Sequence, residues 1–285
     1  LTTGIRPRLL GLDVDGTLLG PGGEPRPGLA EALDEARRKG LRVVLCTGRR
    51  YRRAVAMARR IGLDAPLVCN SGALVKAAEA HATLWRADFS SATLARLLGL
   101  FGRQGERPLS FVDHDEAGPD FTIDASPTGD PGFDDYVASN RHHAEIDPEW
   151  IDEASRGVGR THFHVCAIGD RPRMLRFEAA IRADLDDEVL CFVQRSPRYA
   201  GWMCEILRAD AGKWSALWHV AEGWGIAREE ICAIGDDLND RPMIAGAGLG
   251  VAMPHAPESV REVADLVLPD RPETALAEFV RGLVG

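Results

Sequence analysis

The chain of 285 residues has no CxxC pair, no apolar run near the ~18 residues that cross a membrane, no internal repeat and no low-complexity tract. Its six cysteines, Cys46, Cys69, Cys166, Cys191, Cys204 and Cys232, lie scattered and mostly inside apolar runs. They read as buried reduced thiols of a cytosolic protein rather than as a bridged framework. The amino-terminal residues show no basic-then-apolar signal pattern, so the expectation is a soluble, cytoplasmic protein. An excess of positive charge is missing too: 34 Lys and Arg stand against 43 Asp and Glu, a net charge of −9. General binders of nucleic acid or of anionic membranes carry a basic face, so both classes are set aside.

The charge is unevenly spread. Residues 1–60 carry 13 Lys and Arg against 6 Asp and Glu, whereas residues 88–196 carry 11 against 21. Such asymmetry suggests two electrostatically different units, and the length allows them. Leu9-Leu10-Gly11-Leu12 reads as a buried strand. Leu29, Ala32, Leu33 and Ala36 then recur at helical spacing, with Gly40 where a helix C-cap is expected. Strands over 41–46 and 67–69, with a helix over 49–61 between them, complete a β-α-β-α-β run that implies a parallel sheet with helices on both faces. The alternation returns near the carboxyl end: helix 213–222, strand 231–234, helix 241–245, strand 250–253, helix 258–264, strand 266–268 and a last helix. Between these halves, helices are predicted over 90–101, 133–139 and 172–183, with strands near 109–112, 121–123, 162–167 and 189–194; Ser90 suits an N-cap and Pro172 a first helical position. The expected fold class is α/β: a Rossmann-like parallel-sheet core from residues 1–87 and 197–285, with an inserted α+β domain over 88–196.

Chemistry-bearing residues cluster at the predicted strand ends. Asp13-Val14-Asp15-Gly16-Thr17-Leu18 follows the first strand, and residues i and i+2 of a strand share a side, so Asp13 and Asp15 are expected to emerge together. Two carboxylates that close call for a cation between them or a retained proton. Thr47-Gly48-Arg49 follows the second strand just before a helix, where ligands of open α/β sheets bind and where a hydroxyl and free backbone N–H groups suit a phosphoryl oxygen. Lys213 begins a helix, a place the helix dipole makes unfavourable for a cation, so a phosphate or acids nearby should compensate. Ile231-Cys232-Ala233-Ile234-Gly235-Asp236-Asp237-Leu238-Asn239-Asp240 is an apolar strand running into an acidic turn, and Asp236 and Asp240 offer the hard oxygen ligands that Mg²⁺ requires. Singly, each element has an ordinary alternative: an Asp/Gly turn, an N-cap Thr, a solvated Lys, an acidic cap. The similar run His164-Val165-Cys166-Ala167-Ile168-Gly169-Asp170 has Met174 four residues beyond its Asp, so Asp170 reads as a helix cap. Arg49, Arg50, Arg52, Arg53, Arg59 and Arg60 read as a solvated basic helix face, without the interleaved aromatics of nucleic-acid binders. His114, His162, His164 and Arg195 read as surface or packing residues.

These motifs, with Asn70-Ser71-Gly72-Ala73, Lys213-Trp214-Ser215-Ala216-Leu217, Gly250-Val251-Ala252-Met253 and Ala264-Asp265, resemble phosphatases of the haloacid dehalogenase (HAD) superfamily. The likeness is to the Cof-like group, whose large α/β cap is inserted between the second and third motifs. It spans nearly the whole chain and departs at Trp214 and Asp237, each where Gly is usual, and at Pro254-His255, where Gly-Asn is usual. The resemblance implies a HAD-fold, Mg²⁺-dependent phosphomonoester hydrolase acting on a small phosphorylated metabolite, a sugar phosphate foremost, through an aspartyl-phosphate. A phosphomutase or phosphotransferase on the same scaffold, and a catalytically silent metabolite-binding regulator, are the alternatives. By the same resemblance Asp13 is the nucleophile and Asp15 the acid and base; Thr47, Gly48, Lys213 and Asn239 bind phosphate, Thr47 and Lys213 also serving catalysis. Mg²⁺ is then held by Asp13, the Asp15 backbone carbonyl and Asp236, with Asp240 in the outer shell orienting metal-bound water and Asn70 shaping the site. The partner implied is a small phosphoester, with no nucleic acid and no membrane, and nothing in the pattern specifies an oligomer. The acidic balance of the insert favours a neutral or cationic leaving group.

Overall fold

The computed structural model describes residues 6–115, 117–195 and 201–285. The chain divides into two compact units, one from Leu1–Trp85 and Gly212–Gly285, the other Arg86–Ala211. In chain order the first segment gives β1 (Leu9–Leu12), α1 (Leu29–Arg38), β2 (Arg42–Cys46), α2 (Tyr51–Arg60), β3 (Leu67–Cys69), β4 (Leu74–Lys76) and β5 (Thr83–Arg86). The second unit follows with α3 (Ser91–Gln104), β6 (Leu109–Phe111), β7 (Phe121–Ile123), α4 (Pro131–Ser139), β8 (Ala144–Ile146), α5 (Trp150–Ser155), β9 (His164–Gly169), α6 (Arg171–Leu185), β10 (Val189–Arg195) and β11 (Trp202–Arg208). The chain then returns with α7 (Lys213–Gly223), β12 (Ile231–Gly235), α8 (Arg241–Gly246), β13 (Leu249–Ala252), α9 (Glu258–Arg261), β14 (Leu266–Val267) and α10 (Ala275–Gly282).

The first unit is built on an eight-stranded sheet in the order β14-β13-β12-β1-β2-β3-β4-β5. From β14 to β3 every pairing is parallel; β4 turns back antiparallel on β3. Strands of a parallel sheet are covered on both faces, which is why Leu9–Leu12, Ile231–Gly235 and Leu249–Ala252 are apolar without interruption and buried throughout. Leu9, Val44, Cys46, Val68, Ile231 and Ala233 form one core with Ala216, Leu217 and Val220 of α7 and Met243 of α8. Helix α7 lies so close to β1 that a Cβ on Gly11 would stand 2.4 Å from Leu217 Cδ2. The edge hairpin β4–β5 was not expected from the sequence. Three residues of β4 and an exposed Thr83-Leu84 start to β5 carry too little periodicity to announce it.

The second unit holds a six-stranded sheet in the order β10-β11-β9-β6-β7-β8, antiparallel except for β7 with β8. One face is covered by α3, α5 and α6: Leu97, Phe101, Trp150, Met174, Phe177 and Ile181 pack on Val165, Ala167, Cys204 and Ile206. On α4, Tyr136 packs against Phe121 of β7. Caps set the helix starts as expected. Ser90 accepts from Thr93 N at 3.0 Å and Asp170 from Arg173 N at 2.8 Å, so Asp170 is a cap and no more. One boundary differs from expectation. The insert was read as 88–196, yet the unit runs to Ala211 because β11 is hydrogen-bonded on one side to β10 and on the other to β9. Its apolar residues Met203, Cys204, Ile206 and Leu207 belong to this second sheet and not to a core segment beginning at 197.

All six cysteines are buried and unbridged, and among the described residues no helix is long and apolar enough to cross a membrane. Phe177, 2% exposed, meets Phe101 edge to face at 4.7 Å. Phe177→Ala should cost about 3–5 kcal/mol of stability through lost burial and the cavity left behind. Urea unfolding followed by circular dichroism checks this; a change below about 1 kcal/mol would mean that α6 is not packed as described.

Candidate active site

Strand order brings distant segments together. β1 lies between β12 and β2, so the segments following these strands emerge side by side at the carboxyl edge, where the sheet's chain order reverses. Asp13 follows β1, Thr47 follows β2, Asn70 follows β3, Asp236 follows β12 and His255 lies three residues beyond β13.

At the centre is one buried ammonium. Lys213 Nζ donates to Asp13 Oδ1 at 2.7 Å, to Asp240 Oδ1 at 2.6 Å and to Asn239 Oδ1 at 3.1 Å. Asp240 Oδ2 accepts from the backbone N–H groups of Asp236 at 3.0 Å and Asp237 at 3.1 Å, so both its oxygens are occupied in holding Lys213 and the acidic loop. Gly235 makes room for this: a Cβ there would lie 2.4 Å from Asp240 Cγ. Asp236 Oδ1 accepts from Thr17 Oγ1 at 2.7 Å, and its Oδ2 lies 3.4 Å from His255 Nε2. A Cβ on Gly16, whose φ is +89°, would fall 2.2 Å from the same Oδ2, so this turn admits only glycine. Asp13 Oδ2 is buried without a hydrogen-bond partner.

Ligand oxygens of Asp13, Asp236 and Asp240 lie within 4.8 Å of one another. Three carboxylates there face one ammonium, a deficit of two positive charges. Burial first, then Asp240, push Asp13 well above its ordinary value of 3.8, against the pull of Lys213. Burial likewise raises Asp236. For Lys213 burial pulls the pKa down, but Asp13 and Asp240 outweigh it and hold the ammonium charged. The hard oxygen set, the charge deficit and the orphaned Asp13 Oδ2 fit a divalent cation, which Asp13 and Asp236 could hold. Asp240 has no oxygen to spare and positions its neighbours instead.

Asp15 departs from expectation. β1 ends at Leu12, so the strand alternation that would bring Asp13 and Asp15 to one side does not reach them, and the chain turns: Leu18 N and Leu19 N donate back to Asp13 O and Val14 O at 3.2 and 2.8 Å. Asp13 is buried, while the Asp15 side chain is 48% exposed and gripped by Arg49, whose Nε and Nη2 donate to Oδ2 and Oδ1 at 2.7 and 2.6 Å. Arg49 therefore belongs to the site and not to the solvated basic face where its sequence neighbours placed it. Arg50 is buried too, whereas Arg59 and Arg60 do face solvent. The adjoining Thr47 is fully buried, its Oγ1 accepting from Arg49 N at 3.1 Å and leaving its own O–H to donate.

The loop after β3 ties these parts together. Asn70 N donates to Arg49 O at 3.0 Å and Ser71 N to Thr47 O at 3.1 Å. Both residues hold left-handed backbone, φ +51° and +56°, a strain of about 1–3 kcal/mol each that packing must offset. A Cβ on Gly72 would stand 2.0 Å from the Gly212 carbonyl carbon, so the loop also presses on the start of α7, where Lys213 sits. A Cβ on Gly48 would meet Ser71 Oγ at 3.3 Å and Asn239 Nδ2 at 3.9 Å, which places Thr47-Gly48, Ser71 and Asn239 around one space. Of these, Ser71 and Arg49 were not assigned from sequence; the Arg49 signal was its place directly after Thr47-Gly48 at a strand end. In the second unit, burial pushes His162 down to about 4 and His164 to about 3. His162 hydrogen-bonds Ser110 at 2.7 Å and stacks on Trp150, and His164 stacks on Phe111, so both are packing residues. His114 meets Asp120 at 2.8 Å, and Arg195 ends β10 exposed.

This fold and this cluster are those of a phosphatase. Residues 10–280 match the haloacid dehalogenase-like hydrolases, and the chain belongs to that family. It is 25% identical to the pyridoxal phosphate phosphatase of Escherichia coli (strain K12), over 96% of this chain and 97% of that protein. It is 26% identical to a 5-amino-6-(5-phospho-D-ribitylamino)uracil phosphatase of Bacillus subtilis (strain 168), over 96% and 94%. A haloacid dehalogenase-like hydrolase from Bacteroides thetaiotaomicron shares the fold with a TM-score of 0.75 at 24% identity, over 97% of this chain and 99% of that one.

A raised folded-state pKa means that the folded protein holds its proton more tightly than the unfolded chain. The stability this contributes is fully present below the unfolded value, near 3.8 for Asp13, and is lost as pH rises through the folded value. Asp13→Asn should therefore raise the Tm of metal-free protein in EDTA at pH 7, and the gain should vanish toward pH 3.5. Calorimetry at the two pH values checks it; a variant less stable than wild type at pH 7 would contradict the assignment.

Proposed function

We propose that this protein is a Mg²⁺-dependent phosphomonoester hydrolase that works through an aspartyl-phosphate on Asp13. The observation that supports this most is the orphaned Asp13 Oδ2 in a cluster two positive charges short, beside a space bordered by Thr47-Gly48, Ser71 and Asn239. An anionic carboxylate must approach an anionic phosphate, and two unit charges at ~4 Å repel by about 4 kcal/mol at an effective dielectric near 20. When bound, the divalent cation supplies the positive charge that reverses this repulsion. Asp13, Asp236 and the Asp15 backbone carbonyl would hold it.

Lys213 orients Asp13 and favours its ionised form against the effect of burial. Thr47 O–H, the Gly48 backbone and Asn239 would donate to the equatorial phosphoryl oxygens. An Asp13 oxygen bonds to phosphorus as the bond to the leaving oxygen breaks, and a proton from Asp15 reaches that oxygen. Arg49 occupies both Asp15 oxygens, so Asp15 leaves Arg49 to do this. Water then attacks phosphorus, Asp15 takes its proton, and phosphate departs with Asp13 restored.

The substrate is a small phosphorylated metabolite, as the names of the two curated relatives suggest, with a sugar phosphate as the first class to assay and the inserted unit as the chooser among such esters. Six unbridged thiols fit a reducing, cytoplasmic setting.

Two measurements bear on this. Phosphate release from para-nitrophenyl phosphate and a panel of sugar phosphates should require Mg²⁺, cease in EDTA, and fall by at least about a thousandfold in Asp13→Asn while its circular dichroism is unchanged. Undiminished turnover by that variant would refute the nucleophile. Asp15→Asn should lose far more activity on alkyl phosphates than on para-nitrophenyl phosphate, whose leaving group needs no proton; equal losses would count against the acid role.

A further inference from the structure

We infer that His255 is a positioning residue for Asp236, and through it for the affinity of the divalent cation; this rests on the cation reading above. A carboxylate turns about its last torsion unless both oxygens are held. Asp236 Oδ1 is held by Thr17 Oγ1 at 2.7 Å, and the Gly16-Thr17 backbone is itself pinned by Arg26, whose Nη2 and Nε donate to Gly16 O and Thr17 O, each at 2.8 Å. On the other side, His255 Nε2 stands 3.4 Å from Asp236 Oδ2.

The imidazole is delivered by a short, anchored connection. Met253 N donates to Gly235 O at 2.9 Å, tying it to the end of β12, and Ala256 N donates to Met253 O at 3.1 Å, closing a turn around Pro254 and His255. Packing does not account for the ring, since the side chain is 47% exposed. Nor does a large pocket: the cavity that His255 and Arg26 border is about 40 Å³, room for water and not for a metabolite. What the ring does touch is Asp236. Thr17 thus holds one oxygen of Asp236 and His255 faces the other, while Arg26 acts one step further out, on the Gly16-Thr17 backbone. Asn is a smaller side chain that also ends in an N–H donor.

Outer-shell partners of this kind change metal affinity by about 10–100-fold, because a freely turning ligand pays its ordering cost at binding. The test is Mn²⁺ titration, with free Mn²⁺ read by electron paramagnetic resonance, of wild type, His255→Leu and His255→Asn. His255→Leu should bind Mn²⁺ about tenfold or more weakly, with kcat and KM for para-nitrophenyl phosphate near wild type once Mn²⁺ saturates. His255→Asn should recover most of the affinity, which loss of packing alone would not allow. Equal Mn²⁺ affinity in wild type and His255→Leu overturns this inference and leaves the phosphatase reading standing. A raised KM at saturating Mn²⁺ with unchanged affinity also overturns it, by making His255 a substrate contact. Failure of wild type itself to bind Mn²⁺ would sink the cation reading and this inference together.

Discussion

One ammonium between two buried carboxylates holds this site together. Removing each of these charges from water costs several kcal/mol, and the arrangement survives because nearly every polar atom in it has a partner. Lys213 Nζ spends its three hydrogens on Asp13, Asp240 and Asn239. Asp240 passes the constraint on, since its second oxygen collects the N–H groups of Asp236 and Asp237 and so shapes the loop after β12. The exception is Asp13 Oδ2, the oxygen to which the proposed mechanism gives the reacting or metal-binding role. An unpartnered polar atom in an otherwise satisfied cluster is costly in the empty protein and becomes favourable only with something bound.

The backbone makes the same commitment. Gly16, Gly72 and Gly235 each stand where a Cβ would strike Asp236, the start of α7 or Asp240 at 2.0–2.4 Å. Asn70 and Ser71 accept left-handed backbone to give their N–H groups to the segment after β2. Close approach of backbone to backbone at Gly72, and of backbone to the Asp236 and Asp240 side chains at Gly16 and Gly235, holds these parts in one geometry. Precision of that order matters in phosphoryl transfer, where most of the catalysis is positioning and charge.

Much of this was legible in the residues alone. Strands buried on both faces give unbroken apolar runs, so β1, β2, β3, β12 and β13 were readable, and with them the strand ends that carry Asp13, Thr47, Asn70 and Asp236. What escaped had physical causes. The i, i+2 rule holds only while a strand continues, and β1 stops at Leu12, so Asp13 and Asp15 turn to different partners. Residue class and periodicity cannot tell Arg49, which grips Asp15, from Arg59, which faces solvent. The apolar residues of β11 look the same whether they serve the first sheet or the second, and only the hydrogen-bonding to β9 and β10 assigns them. Thr17 lay in plain view within the first motif, yet its tie to Asp236 spans 219 positions and has no local signature.

The separation of Asp13 from Asp15 is itself informative. Two carboxylates two residues apart can take different roles only if their surroundings differ, and here they differ in every respect. Asp13 is buried, fixed by a lysine and raised by burial and by Asp240; it cannot move far, which suits a group that must meet phosphorus along one line. Asp15 is half exposed, and its side chain accepts two hydrogen bonds from Arg49. A group that must give up a proton and later take one back benefits from being able to leave its partner. The turn at Gly16 that breaks the strand alternation thus separates a buried acid held by a lysine from a half-exposed one held by an arginine, and the proposed chemistry gives them different roles.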